Sequence, residues 1–141
     1  MDAEALLRRA GWRPGRTVDI TADAQALRAE GFAVTDAAEA FLREFAHLVV
    51  AWESQARPLL FDGVEVSRNA DPGWCDLYSE AIGGRLVPVG EYSHMTVYVD
   101  EGGELWGGFD GEYGHRGSVL DLIESIFLRS PRGFDRRIEL G

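Results

Sequence analysis

The side chains that could carry chemistry are few and lie far apart in the sequence. His47, His94 and His115 each lie more than five residues from one another and from Cys75, the single cysteine. Zinc sites usually take closely spaced ligands from one short segment, so no local metal motif is present. A single cysteine excludes an intramolecular disulfide, which fits a reducing cytosol. We expect Cys75 to be a small buried residue.

Carboxylates offer no clearer site. The segment from Asp110 to Asp121 partly matches calcium-loop spacing, but His115 stands at the sixth position, where that loop needs glycine. Asp100 and Glu101 are adjacent acids, and such pairs are typical of solvated turns rather than acid–base catalysis. The paired glycines lack the lysine and the spacing of a phosphate-binding loop. We therefore expect no catalytic, cofactor-binding or metal-binding residue, and we expect the protein to act by binding.

Charge limits the class of partner. The 141 residues carry a net charge of −10, and residues 86–115 contain six acids and no basic residue. Such a field repels nucleic acid and attracts basic partners. The alternative is that the acidity only keeps the protein soluble.

The N-terminus does not have the order of a secretion signal. Arginines first appear at Arg8, after the apolar residues Leu6 and Leu7, whereas a signal peptide places basic residues first. No stretch approaches the roughly 20 apolar residues of a membrane span. We expect a cytoplasmic protein with no membrane partner.

The elements that position these residues follow from apolar spacing and turn residues. Helices are predicted over residues 3–10 and 21–31, from Thr35, over residues 72–82 with Asp71 as cap, and from Ser118. The predicted apolar face of the fourth is Trp74, Tyr78, Ala81 and Ile82. Strands are predicted over residues 48–52, 59–61, 64–66, 86–92, 95–99 and 105–109.

Some residues have positional meaning within these strands. Asp62-Gly63 predicts a hairpin between residues 59–61 and 64–66. Pro88 predicts an edge strand or a bulge, and Gly107-Gly108 predicts a bulge or a close backbone approach. His94 and His115 are expected in solvated turns.

The order of helices and strands predicts the α+β class, with a central antiparallel sheet and helices packed against it. We expect one domain over residues 1–141, with residues 129–141 as a flexible tail.

Four segments resemble the SUKH superfamily of immunity proteins, in particular its third group. The longest reads Ala-Gly-Trp-x-Pro-Gly-Arg-x-Val over residues 10–18. The others are residues 37–45, residues 86–91, and residues 97–110 with their Leu-Trp-Gly string. The chain departs from the family where Ala46-His47 replaces the Gly-Gly that members tend to carry after the Phe-Leu-x-Glu-Phe helix.

The resemblance implies a SUKH-like α+β fold and a role in bacterial polymorphic-toxin systems. An immunity protein of this kind binds and neutralises a cognate toxin domain, often a nuclease or deaminase, and is not an enzyme. Because such toxins need basic clefts for nucleic acid, we expect an acidic binding face. Its candidate residues are Glu91, Asp100, Glu101, Glu104, Asp110 and Glu112.

Two alternatives stay open. Some relatives in the superfamily regulate cell-wall processes in fungi, so the fold could serve as a general intracellular interaction module with a scaffolding role. The acids could also be scattered solvated charges, with the contact elsewhere. The resemblance locates no binding face and implies no particular oligomeric state.

Overall fold

The computed structural model describes residues 2–52, 57–129 and 133–140. In these ranges the chain forms six α-helices and seven β-strands, and a π-helical segment continues the sixth helix. The helices are α1 (Ala3–Arg9), α2 (Thr21–Ala29), α3 (Asp36–Phe45), α4 (Gly63–Asn69), α5 (Pro72–Ile82) and α6 (Val119–Ile123), and the π-helical segment is Glu124–Leu128. The strands are β1 (Leu48–Val50), β2 (Leu59–Phe61), β3 (Val87–Tyr92), β4 (Met95–Val99), β5 (Leu105–Phe109), β6 (Glu112–Gly117) and β7 (Arg136–Arg137).

The seven strands form one antiparallel sheet in chain order, so the α+β class with a central antiparallel sheet is confirmed. In such a meander, successive connections alternate between the two ends of the sheet. The β3–β4 turn (residues 93–94) and the β5–β6 turn (residues 110–111) lie at one end, which we call the Asp110 end. The β4–β5 loop (residues 100–104) lies at the opposite end, which we call the Glu101 end.

Several predicted helix starts are confirmed because their signals are local. The Thr35 side chain accepts a hydrogen bond from the Ala38 N–H at 3.1 Å at the start of α3. Asp71 caps α5, with Pro72 at the first helical position. Ser118 and Asp121 form a reciprocal capping box at the start of α6.

Helices cover both faces of the sheet. On one face α5 packs through Tyr78, whose ring centroid lies 5.7 Å from that of Tyr98 on β4. On the other face α3 packs through Phe41, 5.3 Å from Phe61 on β2. The predicted apolar face of α5 is partly wrong, because Ala81 is exposed and Cys75 is buried in its place.

Glycine lets α5 approach the sheet closely. A Cβ atom built at Gly108 would lie 2.7 Å from Tyr78 Cε2, closer than side-chain carbons pack. The close approach predicted at Gly107-Gly108 is therefore confirmed. Pro88 also behaves as predicted, because the β3–β4 register shifts between Pro88 and Gly90.

The hairpin predicted at Asp62-Gly63 is wrong, since the following residues form α4 instead of a strand. Asp62 accepts a hydrogen bond from the Glu65 N–H at 2.9 Å and so caps this helix. The buried carboxylate of Asp23 accepts from the Gly63 N–H at 2.8 Å. These two bonds fix a helix start, and Val66 then packs into the core.

Strands β6 and β7 were not indicated by the sequence. His115 is a half-buried residue within β6, so its predicted place in a solvated turn is wrong, whereas His94 is exposed in the β3–β4 turn as predicted. We expected a flexible tail over residues 129–141. In the described part of that segment, Arg136 and Arg137 pair with β6, while its flexibility stays a prediction.

Within the described ranges, no helix combines the length and apolar character that crossing a lipid bilayer requires.

Candidate partner-binding surface

The meander divides the six predicted binding acids into two groups. The first group, at or beside the Asp110 end, is Glu91, Asp110 and Glu112. The second group, at the Glu101 end, is Asp100, Glu101 and Glu104. The two ends are separated by the length of strand β4, which is roughly 15 Å at a rise of about 3.3 Å per residue. A partner that touches both groups must therefore span this part of the sheet.

At the Glu101 end, the carboxylates largely support their own loop. Asp100 Oδ1 accepts hydrogen bonds from two backbone N–H groups of the loop, both at 2.9 Å. Asp100 Oδ2 accepts from the indole N–H of Trp106 at 3.0 Å. Glu101 accepts from the Arg85 N–H at 2.7 Å, and Glu104 lies 3.5 Å from His115. These bonds leave the second group less free to meet a partner.

At the Asp110 end, Glu91 and Asp110 accept no hydrogen bond from a backbone N–H group of the described residues. Both oxygens of Glu91 accept from the Asn69 side-chain amide, at 3.0 and 3.2 Å. Asp110 is exposed in the turn with φ of +48°, a left-handed conformation that aspartate tolerates. Within the described residues, neither carboxylate takes part in a salt bridge. Both are available to an external cation.

Glu91 and Asp110 line one cleft of about 350 Å³ between α5 and the sheet, whereas Glu112 does not line it. The cleft gains a third carboxylate from Asp71, the exposed cap of α5. The lining is acidic at the rim and aromatic below, and it comprises Asn69, Asp71, Trp74, Tyr78, Glu91, Ser93, His94, Met95, Thr96, Tyr98, Gly108, Phe109 and Asp110. We call this site the acidic cleft.

The aromatic floor of the acidic cleft is closely packed and neutral. Trp74 stacks on Tyr78 with ring centroids 5.7 Å apart and planes 18° apart. The Tyr78 hydroxyl accepts from the Gly111 N–H at 2.8 Å, which fixes the β5–β6 turn against α5. Burial raises the pKa of Tyr78, and the nearby Asp110 and Glu112 charges raise it further. Burial also raises the pKa of Tyr98 far above its ordinary value. Both phenols therefore stay protonated at neutral pH.

Cys75 lacks the surroundings of a nucleophile. The side chain is 1% exposed, and its thiol donates to the Leu86 carbonyl at 3.3 Å. Burial raises the pKa of the thiol to about 11. A thiol at that pKa is almost entirely protonated at neutral pH, so it is a poor nucleophile. The expectation of a small buried residue is confirmed.

The three histidines have three separate environments. His47 Nε2 lies 2.9 Å from Asp23 Oδ1. His94 packs its ring 5.6 Å from that of Phe109, and His115 packs 5.2 Å from Trp106. In the part of the chain that the structure describes, no three His, Cys, Asp or Glu side chains are placed to hold a metal ion.

The sequence predicts neither Asp71 nor Asn69 as part of the surface, and it places Trp74 on the apolar face of α5 instead of in a binding site. Asp71 was assigned only its capping role, which it does fill by accepting from the Gly73 N–H at 2.7 Å. These residues come from the α4–α5 junction, about 20 residues before Glu91 in the chain. The amphipathic spacing of α5 is a signal for Trp74 alone, and it marks a helix face but not a cleft, because Asn69 and Asp71 precede that helix.

The family model described as SUKH-3 immunity protein matches residues 1–123. No curated protein and no solved structure matches the chain.

Proposed function

The chain belongs to the SUKH-3 immunity protein family, and from this membership we propose that it binds a cognate polymorphic toxin and blocks the toxin's active surface. The observation that carries the proposal is the family match, which spans residues 1–123 and so covers nearly the whole sheet and α1 to α6. On this proposal the protein works in the cytoplasm, catalyses nothing and contacts neither nucleic acid nor membrane.

Charge supports a basic partner. A net charge of −10 favours encounter with a positively charged protein and disfavours nucleic acid. Nuclease and nucleic-acid deaminase toxins carry basic clefts, because they bind phosphate backbones. We propose that all six predicted acids contribute to attraction, and that Glu91 and Asp110 also make contact because they line the same cleft and form no salt bridge within the described residues.

The direct test is protection of a living cell. On this proposal a gene beside this chain's gene encodes the toxin domain, and that domain is expressed from an inducible promoter, with this protein or an empty vector supplied on a second plasmid. The proposal predicts growth with this protein and growth arrest with the empty vector. A catalytically inactive toxin provides the control for expression burden. Arrest despite normal levels of folded protein contradicts the proposal.

A further inference from the structure

Two depressions meet at the Asp110 end of the sheet. The acidic cleft lies on the α5 face, and an apolar groove of about 270 Å³ lies on the opposite face. The two share residues 93–95 of the β3–β4 turn and Phe109 at the end of β5. The apolar wall of the groove is formed by Tyr92, Met95, Phe109, Leu122, Ile126 and Phe134.

Phe109 lies on the boundary between the two depressions. Phe109 is 40% exposed. Among the large hydrophobic residues that are exposed in the described part of the chain, it is the only aromatic one. The ring centroid of His94 lies 5.6 Å from that of Phe109, with the two planes 36° apart. Covering an exposed aromatic side chain and a neighbouring apolar groove with a partner surface removes apolar area from water, which is favourable in free energy.

The surroundings of Phe109 resemble the composition of protein–protein contacts. Such interfaces place aromatic and methionine side chains at the centre and charged groups at the rim. Here Phe109 and Met95 lie between the groove and the cleft, and the carboxylates of Asp71, Glu91 and Asp110 lie on the cleft side. Within the described residues, none of these three carboxylates forms a salt bridge.

We propose that the surface of this protein that contacts the toxin is centred on Phe109. One apolar side chain of the toxin would occupy the apolar groove, and one basic side chain of the toxin would occupy the acidic cleft. This inference rests on the proposed function and adds the contact site to it. The cleft suits a basic side chain because carboxylates surround its rim, and the half-buried Trp74 ring, which also lines the cleft, can face a cation. The groove suits an apolar side chain because its walls are mainly aliphatic and aromatic.

Two matched pairs of variants test the site by calorimetric titration. The probe is a catalytically inactive form of the toxin domain encoded beside this chain's gene. Phe109→Ala is compared with Leu120→Ala, because Leu120 is also 40% exposed but lines neither depression. Asp110→Asn is compared with Glu30→Gln, an exposed acid at the end of α2. Asparagine keeps the left-handed turn, so Asp110→Asn changes the charge and not the backbone.

Phe109→Ala is expected to raise the dissociation constant about 30-fold, the effect typical of a central interface residue. Asp110→Asn is expected to raise it about 10-fold, and both controls should stay within about twofold of wild type. Thermal melts of all four variants confirm that each remains folded. If wild type binds and both Phe109→Ala and Asp110→Asn bind as tightly as wild type, the proposed contact site is wrong but the proposed function stands. If wild type itself does not bind, the proposed function fails.

Discussion

Asp23 links three separate segments through one buried carboxylate. The side chain is 1% exposed, Oδ2 accepts from the Gly63 N–H at 2.8 Å, and Oδ1 lies 2.9 Å from His47 Nε2. A Cβ atom at Gly63 would lie 2.6 Å from Asp23 Cβ, so glycine is what allows this contact. Asp23 thereby joins α2 to the residue before β1 and to the start of α4.

Removing this carboxylate should destabilise the protein. Asp23→Ala leaves the buried Gly63 N–H without an acceptor, which costs about 2–3 kcal/mol of unfolding free energy. Urea unfolding measures the change. Asp36→Ala serves as a comparison in an exposed first helical turn and should cost well under 1 kcal/mol. Equal stability of the two variants would contradict the linking role of Asp23.

His47 has a backbone conformation that favours glycine. Its φ is +72°, in the left-handed region that glycine enters without steric cost. We predict that His47→Gly is more stable than His47→Ala by about 1 kcal/mol, because both lose the contact with Asp23 but only alanine keeps the strain. Paired urea titrations measure the difference. An alanine variant as stable as the glycine variant would show that this backbone conformation carries no cost.

The buried thiol gives a prediction on reactivity. Because burial raises the pKa of Cys75 to about 11, the folded protein holds almost no thiolate at pH 8. Iodoacetamide at pH 8 should leave the native protein unmodified and should alkylate it once in guanidinium chloride, as measured by mass spectrometry. The raised pKa also means that the protonated thiol favours the folded state, a contribution present below about pH 9 and lost as pH rises through about 11. Rapid labelling of the native protein at pH 8 would contradict this assignment.

At the scale of elements, the contact between α5 and β5 depends on a missing side chain. A Cβ at Gly108 would lie 2.7 Å from Tyr78 Cε2 and 3.1 Å from Tyr98 Cε2. We predict that Gly108→Ala destabilises the fold by about 1–3 kcal/mol through overpacking. Gly84→Ala is the control, because its Cβ would meet nothing closer than 3.7 Å. Thermal melts measure both, and similar melting temperatures would show that α5 can shift away from the sheet.

The elements that could be predicted are those whose signals lie within a few residues. The starts of α3, α5 and α6 follow from capping side chains next to apolar spacing. The same kind of local signal gives a wrong prediction at Asp62-Gly63, where it indicates a hairpin instead of a helix start. Aspartate and glycine are common in both hairpin turns and helix caps. The long-range hydrogen bond from the Gly63 N–H to Asp23 selects the helix, and no local pattern shows it.

Strand β6 escaped prediction for a different reason. Its sequence, Glu-Tyr-Gly-His-Arg-Gly, lacks alternating apolar residues because glycine and a buried arginine replace them. Gly114 lies against Asp135, and the Arg116 side chain donates to the Gly133 carbonyl.

The acidic cleft could not be predicted from the sequence, because its walls come from three segments that only the fold brings together. The sequence shows the acidic stretch itself, but it does not show that the fold divides these acids between two ends of the sheet.

For the whole molecule, the charge predicts a salt-dependent association. An acidic protein that meets a basic toxin gains encounter rate from long-range attraction, which ions screen. We predict that the association rate constant falls at least about 10-fold between 20 and 500 mM NaCl, in line with general magnitudes for charged partners. The dissociation rate should change less, because close contacts control it and we propose that these lie around Phe109. Stopped-flow mixing measures both, and a salt-independent association rate would contradict electrostatic attraction.

The most direct measurement is the activity of the purified toxin domain as this protein is added in steps. Occupation of the active surface predicts that activity falls linearly and reaches zero near one equivalent of protein, at toxin concentrations well above the dissociation constant. An unrelated acidic protein of similar net charge should leave activity unchanged. Toxin activity that persists at several equivalents of folded protein would contradict neutralisation by direct binding.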